Sequence, residues 1–311
     1  MKAVALTEFG GPEVLHLMDL PTPEAGPGEV RIRVHAATVN PVDAMVRRGL
    51  AFVSDARPPY VPGMEAAGVV DQIGRDTDTD LAVGDRAMAV AVVSGSHGAY
   101  AQYLVVPAQS VVRAPAGATD VEAATLPMNG LTARMALDLL KLPAGGTVVV
   151  VGAAGAVGGY ALQLAKADGF RVIADAAPKD VELVRELGAD VVLPRGADFA
   201  ELVRKQAPDG ADGLVDTAGI DQAVAHAVRD GGRIVTSAPG APLVTERGIV
   251  TERTFVPKYA RNHAALDRLR ELAEQSRITL RVARTLPFEE PAEAHRLLEA
   301  GGLRGRIVLT F

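Results

Sequence analysis

The sequence predicts an α/β chain in which a β-rich domain accompanies a second domain built on a doubly wound parallel sheet. Three observations support this fold class. Short β-like runs separated by Gly and Pro fill the first region, strands and helices alternate from residue 147 onward, and 311 residues are more than one core usually holds.

The first region contains strand-like segments at 29–39, 66–74, 85–93 and 98–108. Their spacing favours an all-β, partly barrel-like domain. From Asp120 the pattern changes, and 120–142 has helical periodicity with the acidic start that a helix N-terminus prefers.

The second region alternates between the two element types. The predicted strands are 147–151, 171–175, 190–194, 212–218 and 232–238, and the predicted helices are 156–168, 179–187, 198–206 and 221–229. This alternation is typical of a doubly wound parallel sheet. The tail predicts a helix at 263–275, a β segment at 284–289, a helix at 291–301 and a last strand at 305–311.

Composition and charge exclude several classes of protein. A net charge of −6 with scattered Lys and Arg gives no footprint for nucleic acid, and no apolar run is long enough to cross a membrane. The first residues meet Glu8 and two glycines too early for a signal peptide, so we expect a cytoplasmic protein. The absence of cysteine excludes disulfides, a thiolate nucleophile and thiolate metal ligands.

The segment TVVVVGAAGAVGGYALQLAKADGFRVIADAAPKD (147–180) carries the strongest motif. A strand runs into a turn of small residues, with Gly155 and Gly158 in an A-A-G-x-x-G pattern, and a helix follows. Free N–H groups and the dipole at such a helix start bind a pyrophosphate, and small side chains let it approach the backbone. The segment therefore predicts a dinucleotide site, the alternative being a tight turn that only packs helix against sheet.

The end of the second strand bears on the choice of dinucleotide. An Asp there favours the ribose hydroxyls of NAD, whereas a basic residue just beyond accommodates the 2′-phosphate of NADP. The chain has Asp175 as well as Lys179, and Arg195 follows the third strand. Counted from Gly158, Asp175 falls one residue short of the NAD-type position, an offset that would turn its side chain to the other face. Counted back from LGAD (187–190), Asp175 falls on that position, so the two counts leave the alternative open. We side with the count from Gly158 because it starts at the loop that anchors the cofactor. We therefore predict a modest preference for NADPH, with NADH and a solvated Lys179 as the alternative.

The chain resembles the zinc-free quinone oxidoreductases of the medium-chain dehydrogenase/reductase superfamily over essentially its whole length. The resemblance rests on AATVNPVDAMVRRG (36–49), VPGMEAAGVV (61–70), VGDRAMAV (83–90), GAYAQYLVVPA (98–108), LPMNGLTARMAL (126–137), the dinucleotide loop and GRIVLTF (305–311). It implies a GroES-like β-rich domain from 1–120 and 261–311, a Rossmann domain from 121–260, and an active site between them.

The resemblance also implies that the catalytic metal is lost. Zinc members of the superfamily use a Cys, a His and a second Cys at positions that match Asn40, Met64 and Met128. An amide and neutral thioethers do not replace such ligands, so we predict no bound metal.

Without a Lewis acid, the accessible substrates are those that delocalise negative charge themselves, namely quinones and alkenes conjugated to a carbonyl. Asn40 is the best candidate for a polar contact, and Met45 stands where the family often has Tyr. Asp43 is expected to hold local structure. The candidate catalytic residues are Asn40, Tyr60, Met64, His97 and Asn129; surface or structural roles are the alternative for Tyr60 and His97.

Candidate cofactor contacts follow from the loop and from the resemblance. They are Asn40, Thr132, Ala154, Gly155, Ala156, Val157, Asp175, Lys179, Arg195, Ser237 and Arg306. A helix-stabilising contact is the alternative for Thr132, and a solvent-facing side chain is the alternative for Arg306.

Three functions remain open from the sequence. The leading one is an NADPH-dependent reductase of quinones or α,β-unsaturated carbonyl compounds. The others are a reductase of a conjugated intermediate in secondary metabolism and a non-catalytic protein that binds NADPH. The resemblance further implies a homodimer formed through the β-prone segment GIVTERTFVP (248–257).

Overall fold

A computed structural model describes residues 1–51, 57–92, 97–219, 222–238, 244 and 246–311, without the side chains of 222 and 223. The chain forms two compact units. The first comprises Met1–Met128, Pro257–Glu274 and Leu280–Phe311, and the second Asn129–Val256 and Gln275–Thr279. The predicted domain boundaries, after residues 120 and 260, stay a prediction.

The secondary structure of the described residues is as follows. The strands are β1 (Lys2–Ala5), β2 (His16–Asp19), β3 (Glu29–Thr38), β4 (Glu65–Ile73), β5 (Arg86–Val90), β6 (Tyr103–Pro107), β7 (Val111–Arg113), β8 (Thr147–Val151), β9 (Arg171–Ala176), β10 (Val191–Pro194), β11 (Ala211–Asp216), β12 (Val228–Thr236), β13 (Val250–Arg253), β14 (Val282–Pro287) and β15 (Arg306–Thr310). The α-helices are α1 (Pro41–Arg47), α2 (Asp120–Ala123), α3 (Pro127–Leu140), α4 (Ala156–Ala167), α5 (Val181–Glu186), α6 (Phe199–Gln206), α7 (His263–Glu274) and α8 (Pro291–Ala300).

The first unit is built on a seven-stranded sheet in the order β14-β15-β3-β4-β5-β7, with β6 also paired to β3. Only β14 and β15 run parallel among these pairs, and β1 and β2 form a separate antiparallel pair. In β3, Val30, Ile32 and Val34 are buried, whereas the alternating charged residues are more exposed. This period of two gives the sheet an apolar face on the core of the unit.

The register of this sheet brings the ends of three neighbouring strands, β15, β3 and β4, close together. Ala37 pairs with Ala66 between β3 and β4, and Thr38 pairs with Val308 between β3 and β15. The last residue of β3, the first residue of β4 and the first residue of β15 therefore lie at the same edge of the sheet. That edge carries Thr38, Glu65 and Arg306.

The second unit contains six parallel strands in the order β10-β9-β8-β11-β12-β13. This is the doubly wound α/β fold that the alternation predicts. The valines of β8 are all buried, as expected for a parallel strand covered on both faces. Strand order reverses between β8 and β11, and ligands of such sheets bind beyond the carboxyl ends of the strands at that point.

Three predicted helices differ in detail. The segment 120–142 contains two helices, α2 and α3, because Pro127 begins a new helix and cannot continue the previous one. The segment 179–187 consists of a 3₁₀ turn at Pro178–Asp180 followed by α5. The segment 221–229 is a 3₁₀ helix only over Gln222–Ala227, since Val228 already pairs with Ala211 of β11; residue 221 lies outside the described residues.

Candidate functional site

The turn between β8 and α4 has the close backbone packing that a pyrophosphate site needs. Gly152 has φ of 79°, a conformation that favours glycine. A Cβ on Gly158 would lie 2.2 Å from the carbonyl oxygen of Gly152, so only glycine lets the helix approach the turn this closely. Gly155 is the N-cap of α4, and Ala156 and Val157 form its first turn. The amide groups and dipole of this helix start suit a phosphate.

The side chain of Asp175 is directed at this turn. It is buried at the end of β9, and its Oδ1 accepts hydrogen bonds from the backbone N–H groups of Gly152 (2.7 Å) and Ala153 (3.2 Å). Its Oδ2 accepts a hydrogen bond from Nε of Arg195 at 2.6 Å. Both carboxylate oxygens are therefore engaged within the unit, and the carboxylate fixes the turn that precedes α4.

A second buried carboxylate has a similar role on the other side of β8. Asp216 ends β11, and its Oδ1 accepts hydrogen bonds from the backbone N–H groups of Ala218 (2.9 Å) and Gly219 (2.8 Å). Ser237 follows β12, and its backbone N–H donates to the carbonyl oxygen of Asp216 at 2.9 Å. These bonds fix the loops at the carboxyl edge of the sheet on which the cofactor candidates lie.

The two basic candidates also lie at this edge. Lys179 is exposed in the 3₁₀ turn after β9 and has no ion pair among the described residues. Arg195 follows β10 and leaves 48% of its side chain exposed while it pairs with Asp175. Both cations are thus accessible beyond the strand ends, and Arg195 compensates the charge of Asp175.

In the first unit, the carboxylate of Glu65 is the centre of a hydrogen-bond network. It is fully buried, and its Oε1 accepts hydrogen bonds from the hydroxyl of Thr38, from Nδ2 of Asn40 (3.2 Å) and from Nη2 of Arg306 (3.1 Å). Its Oε2 accepts one from the backbone N–H of Met128 at 2.6 Å. Four donors, one of them a buried guanidinium, thus surround a group that only accepts when ionised.

Asn40 is held from its backbone as well. It is the N-cap of α1, and its N–H donates to Oδ2 of Asp43 at 2.8 Å. Oδ1 of Asp43 accepts from the N–H of Gly63 at 2.9 Å, and the hydroxyl of Tyr100 donates to Oδ2 at 3.1 Å. Burial raises the pKa of Asp43 to about 7, although these hydrogen bonds act in the opposite direction. Asp43 therefore joins the start of α1 to the residue that precedes Met64.

Tyr100 extends the Asp43 network to α8. Its hydroxyl lies 3.4 Å from Nε2 of His295, and Nδ1 of His295 lies 3.4 Å from Nη1 of Arg47. His295 is fully buried, and burial together with the Arg47 charge lowers its pKa to about 3. The Arg47 guanidinium is also buried and pairs with Glu299 at 2.6 Å. Each polar side chain of this buried network therefore has a hydrogen-bond or ion-pair partner.

Met64 and Met128 lie in an apolar cluster. Buried Met64 packs with Val46, and the half-buried Val42 and Met128 pack against them. With Asn40, these side chains supply an amide and two thioethers, which do not fit the thiolate, imidazole or carboxylate set that zinc requires. No group of three His, Cys, Asp or Glu residues suited to a metal occurs within the described ranges.

The remaining catalytic candidates are dispersed. Tyr60 stacks on Phe9 with ring centroids 5.1 Å apart, and His97 is exposed and lines a cavity of about 370 Å³ within the first unit. Asn129 and Thr132 are buried on α3, in the second unit. The first unit therefore joins Asn40 and Arg306 through Glu65, whereas Met64 lies in the apolar cluster and Tyr60 stacks on Phe9.

Arg306 is buried, so the solvent-facing alternative is wrong for this side chain. Sequence reasoning missed the two groups that hold it, Glu65 and Thr38. One signal was present: Glu65 follows Met64 directly, at the start of an apolar strand. A carboxylate in such a register is buried and needs a cation.

The chain matches known proteins along its length. Residues 26–116 match the alcohol dehydrogenase GroES-like domain, and residues 187–309 match the zinc-binding dehydrogenase family. It is 31% identical to an NADPH-dependent alkenal/one oxidoreductase of the chloroplast from Arabidopsis thaliana, over 99% of this chain and 79% of that protein.

Two solved structures are similar over the whole chain. One is described as an NAD-dependent alcohol dehydrogenase, with a TM-score of 0.88 and 32% identity over 100% of both chains. The other is the quinone oxidoreductase from Coxiella burnetii, with a TM-score of 0.87 and 28% identity over 100% of this chain and 99% of that one.

The doubly wound sheet with its glycine-rich turn, and the β-rich unit with its buried polar cluster, together define a dinucleotide-dependent oxidoreductase. The similarity extends over both units. The chain belongs to the medium-chain dehydrogenase/reductase superfamily, among its GroES-like quinone and enone oxidoreductases.

Proposed function

We propose that this protein is an NADPH-dependent reductase of quinones or α,β-unsaturated carbonyl compounds that works without zinc. The observation that carries the proposal is the pairing of two features. The turn before α4 has the packing of a pyrophosphate site, whereas the zinc-ligand positions hold an amide and two thioethers, Asn40, Met64 and Met128. The turn before α4 keeps the packing that a dinucleotide needs, and the three positions lack side chains that bind the metal.

The residues present fit the dinucleotide. Ala156 and Val157, in the first turn of α4, offer backbone N–H groups to the pyrophosphate, whereas the N–H of Gly155 donates to the carbonyl oxygen of Gly152 at 2.9 Å and fixes the turn. Ser237 follows β12, two strands away from β8 in the same sheet. When bound, the nicotinamide supplies the hydride. Asp175 and Asp216 hold the loops of this edge in place, so that the backbone donors are oriented before binding.

The substrate class follows from the missing Lewis acid. A metal would stabilise the oxyanion of an alcohol or an isolated ketone, and none of the three ligand positions supports one. A quinone or an enone delocalises the charge of the added hydride over its own conjugated system. The buried apolar cluster of Met64 and Val46 excludes water from its part of the first unit.

The structure supports a preference for NADPH through Asp175. Its two oxygens are taken by the turn and by Arg195, so it is not free to accept bonds from both ribose hydroxyls of NADH. Arg195 and the exposed Lys179 are the cations available for a 2′-phosphate, and a charge-assisted bond contributes about 1.5–3 kcal/mol.

The proposed activity is tested by the oxidation of NADPH with a panel of simple quinones, enones, primary alcohols and isolated ketones. We expect turnover with quinones or enones and none with the alcohols and isolated ketones. Binding of NADPH without oxidation over the whole panel would support a non-catalytic binding protein instead.

The cofactor preference is tested by kcat/KM for NADPH and NADH in the wild type and in Lys179→Ala and Arg195→Ala. The matched control is Lys205→Ala, an exposed lysine at the far end of α6, which leads back toward the opposite edge of the sheet. We expect the wild type to prefer NADPH, at least one of the two variants to lose that preference, and the control to keep it. A wild type that prefers NADH contradicts the assignment.

A further inference from the structure

The carboxylate of Glu65 is unusual among the charged groups of the first unit because it contacts three separate candidate site elements. These are the side-chain amide of Asn40 at the start of α1, the guanidinium of Arg306 at the start of β15, and the backbone of Met128 at the start of α3.

We propose that Glu65 is a positioning residue for the reaction, a role that rests on the proposed function. Its own oxygens are fully buried and occupied, so it does not touch the substrate. It acts through the groups that it orients. One carboxylate fixes the amide plane of Asn40, compensates the buried charge of Arg306 and holds the backbone N–H of Met128 at the start of α3.

The network also fixes which end of the Asn40 amide is available. Nδ2 faces Glu65 Oε1 at 3.2 Å and Thr38 Oγ1 at 3.3 Å, and both of these oxygens lie within hydrogen-bond distance of Arg306 Nη2. The nitrogen end of the amide is therefore turned to the carboxylate and the carbonyl oxygen is turned away from it.

The chemistry of the network makes the negative charge of Glu65 necessary. A glutamine at this position would keep the size of the side chain, but an NH₂ group would replace one of the two carboxylate oxygens. That NH₂ group would then face donors, either the N–H of Met128 or the three groups that donate to Oε1 in the wild type. Arg306 would also lose the buried carboxylate to which it is hydrogen-bonded, and removing one partner of a buried ion pair is costly. The elements that Glu65 joins would then separate by fractions of an ångström or more, and such displacements cost up to about 100-fold in rate.

The experiment compares Glu65→Gln with Glu299→Gln. Glu299 is a matched control, because it also pairs with a buried arginine, Arg47 at the end of α1, but is hydrogen-bonded to none of Asn40, Arg306 and Met128. Two readouts are measured: kcat and KM with a quinone, and the methyl resonance of Met128 in protein labelled with ¹³C at the methionine methyl groups, in the presence and absence of NADPH. The methyl readout does not depend on turnover.

We expect Glu65→Gln to lower kcat by about 10- to 100-fold, with a smaller change in KM, and to shift the Met128 resonance. Glu299→Gln is expected to change kcat less than about threefold and to leave that resonance in place. An unmoved Met128 resonance in Glu65→Gln, or a shifted resonance with wild-type kcat, overturns the positioning role. If the wild type turns over no substrate, the proposed function fails, and the resonance still decides whether Glu65 holds α3.

Discussion

Folding transfers a proton between two buried groups of the first unit, and this predicts an unusual dependence of stability on pH. The hydroxyl of Tyr100 lies 3.1 Å from Asp43 and 3.4 Å from His295. In the folded protein the pKa of Asp43 is about 7 and that of His295 about 3. Their ordinary values are 3.8 and 6.5. Between about pH 4.5 and 6 the folded state therefore has a protonated Asp43 and a neutral His295, and the unfolded state has the reverse.

In the wild type the contributions of Asp43 and His295 to the pH dependence of the free energy of unfolding cancel, because the folded and the unfolded state each bind one proton on this pair. Asp43→Asn removes this balance. The unfolded state then binds one proton more, on His295, so the free energy of unfolding rises with pH by about 1.4 kcal/mol per pH unit relative to wild type. His295→Gln has the opposite effect: the folded state binds one proton more, on Asp43, so the free energy of unfolding falls by about 1.4 kcal/mol per pH unit.

The assay is urea unfolding followed by circular dichroism at several pH values between about 4.5 and 6. The free energy of unfolding of each variant is expressed as its difference from that of the wild type at the same pH. Over this range the two single variants should diverge from wild type by about 2 kcal/mol in opposite directions. The double variant is the control, and its difference from wild type should not change with pH. If the difference from wild type in the free energy of unfolding stays constant with pH for both single variants, neither Asp43 nor His295 changes its protonation on folding, which contradicts this prediction.

The remaining predictions concern the turn, the metal and the sheet edge. Gly158→Ala places a Cβ against the carbonyl oxygen of Gly152, so it should lower the free energy of unfolding by about 1–3 kcal/mol and weaken NADPH binding in a titration. Gly196→Ala is the control and should have neither effect, because a Cβ at that position meets no atom within 4 Å. Metal analysis should find no stoichiometric zinc, and a chelator should leave activity unchanged; zinc-dependent activity contradicts this. Sedimentation at micromolar concentration should show a dimer in which β13 pairs with its copy, and Val250→Lys, at a position with 41% exposure, should shift it to monomer.

The fold was largely predictable because its signals are local. Alternating helices and strands, the glycine-rich turn and the apolar β8 each occupy a short stretch of sequence, and the parallel sheet of the second unit confirms the class. Where the structure differs from the helix predicted at 221–229, the reason is an interaction with a distant part of the chain. Val228 joins β12 because Ala211 of β11 lies beside it, although its local pattern indicates a helix.

The site was less predictable because its central contacts join distant parts of the chain. The pair of Glu65 and Arg306 spans 241 residues, and neither residue alone indicates the other. The orientation of Asp175 depended on an offset of one residue, since neighbouring strand side chains point to opposite faces. Only the structure shows that this carboxylate faces the turn and Arg195.

The sheet register of the first unit also bears on how the protein is made. Glu65 is synthesised long before Arg306, and its carboxylate has no counter-charge until β15 joins β3. A nascent chain that already contains β3 and β4 therefore holds a carboxylate that it cannot bury at low cost, which favours keeping that edge open to water until the late strand arrives. A chain interrupted before residue 306 would therefore lack both the guanidinium that hydrogen-bonds Glu65 and the strand that pairs with β3 on that side of the sheet.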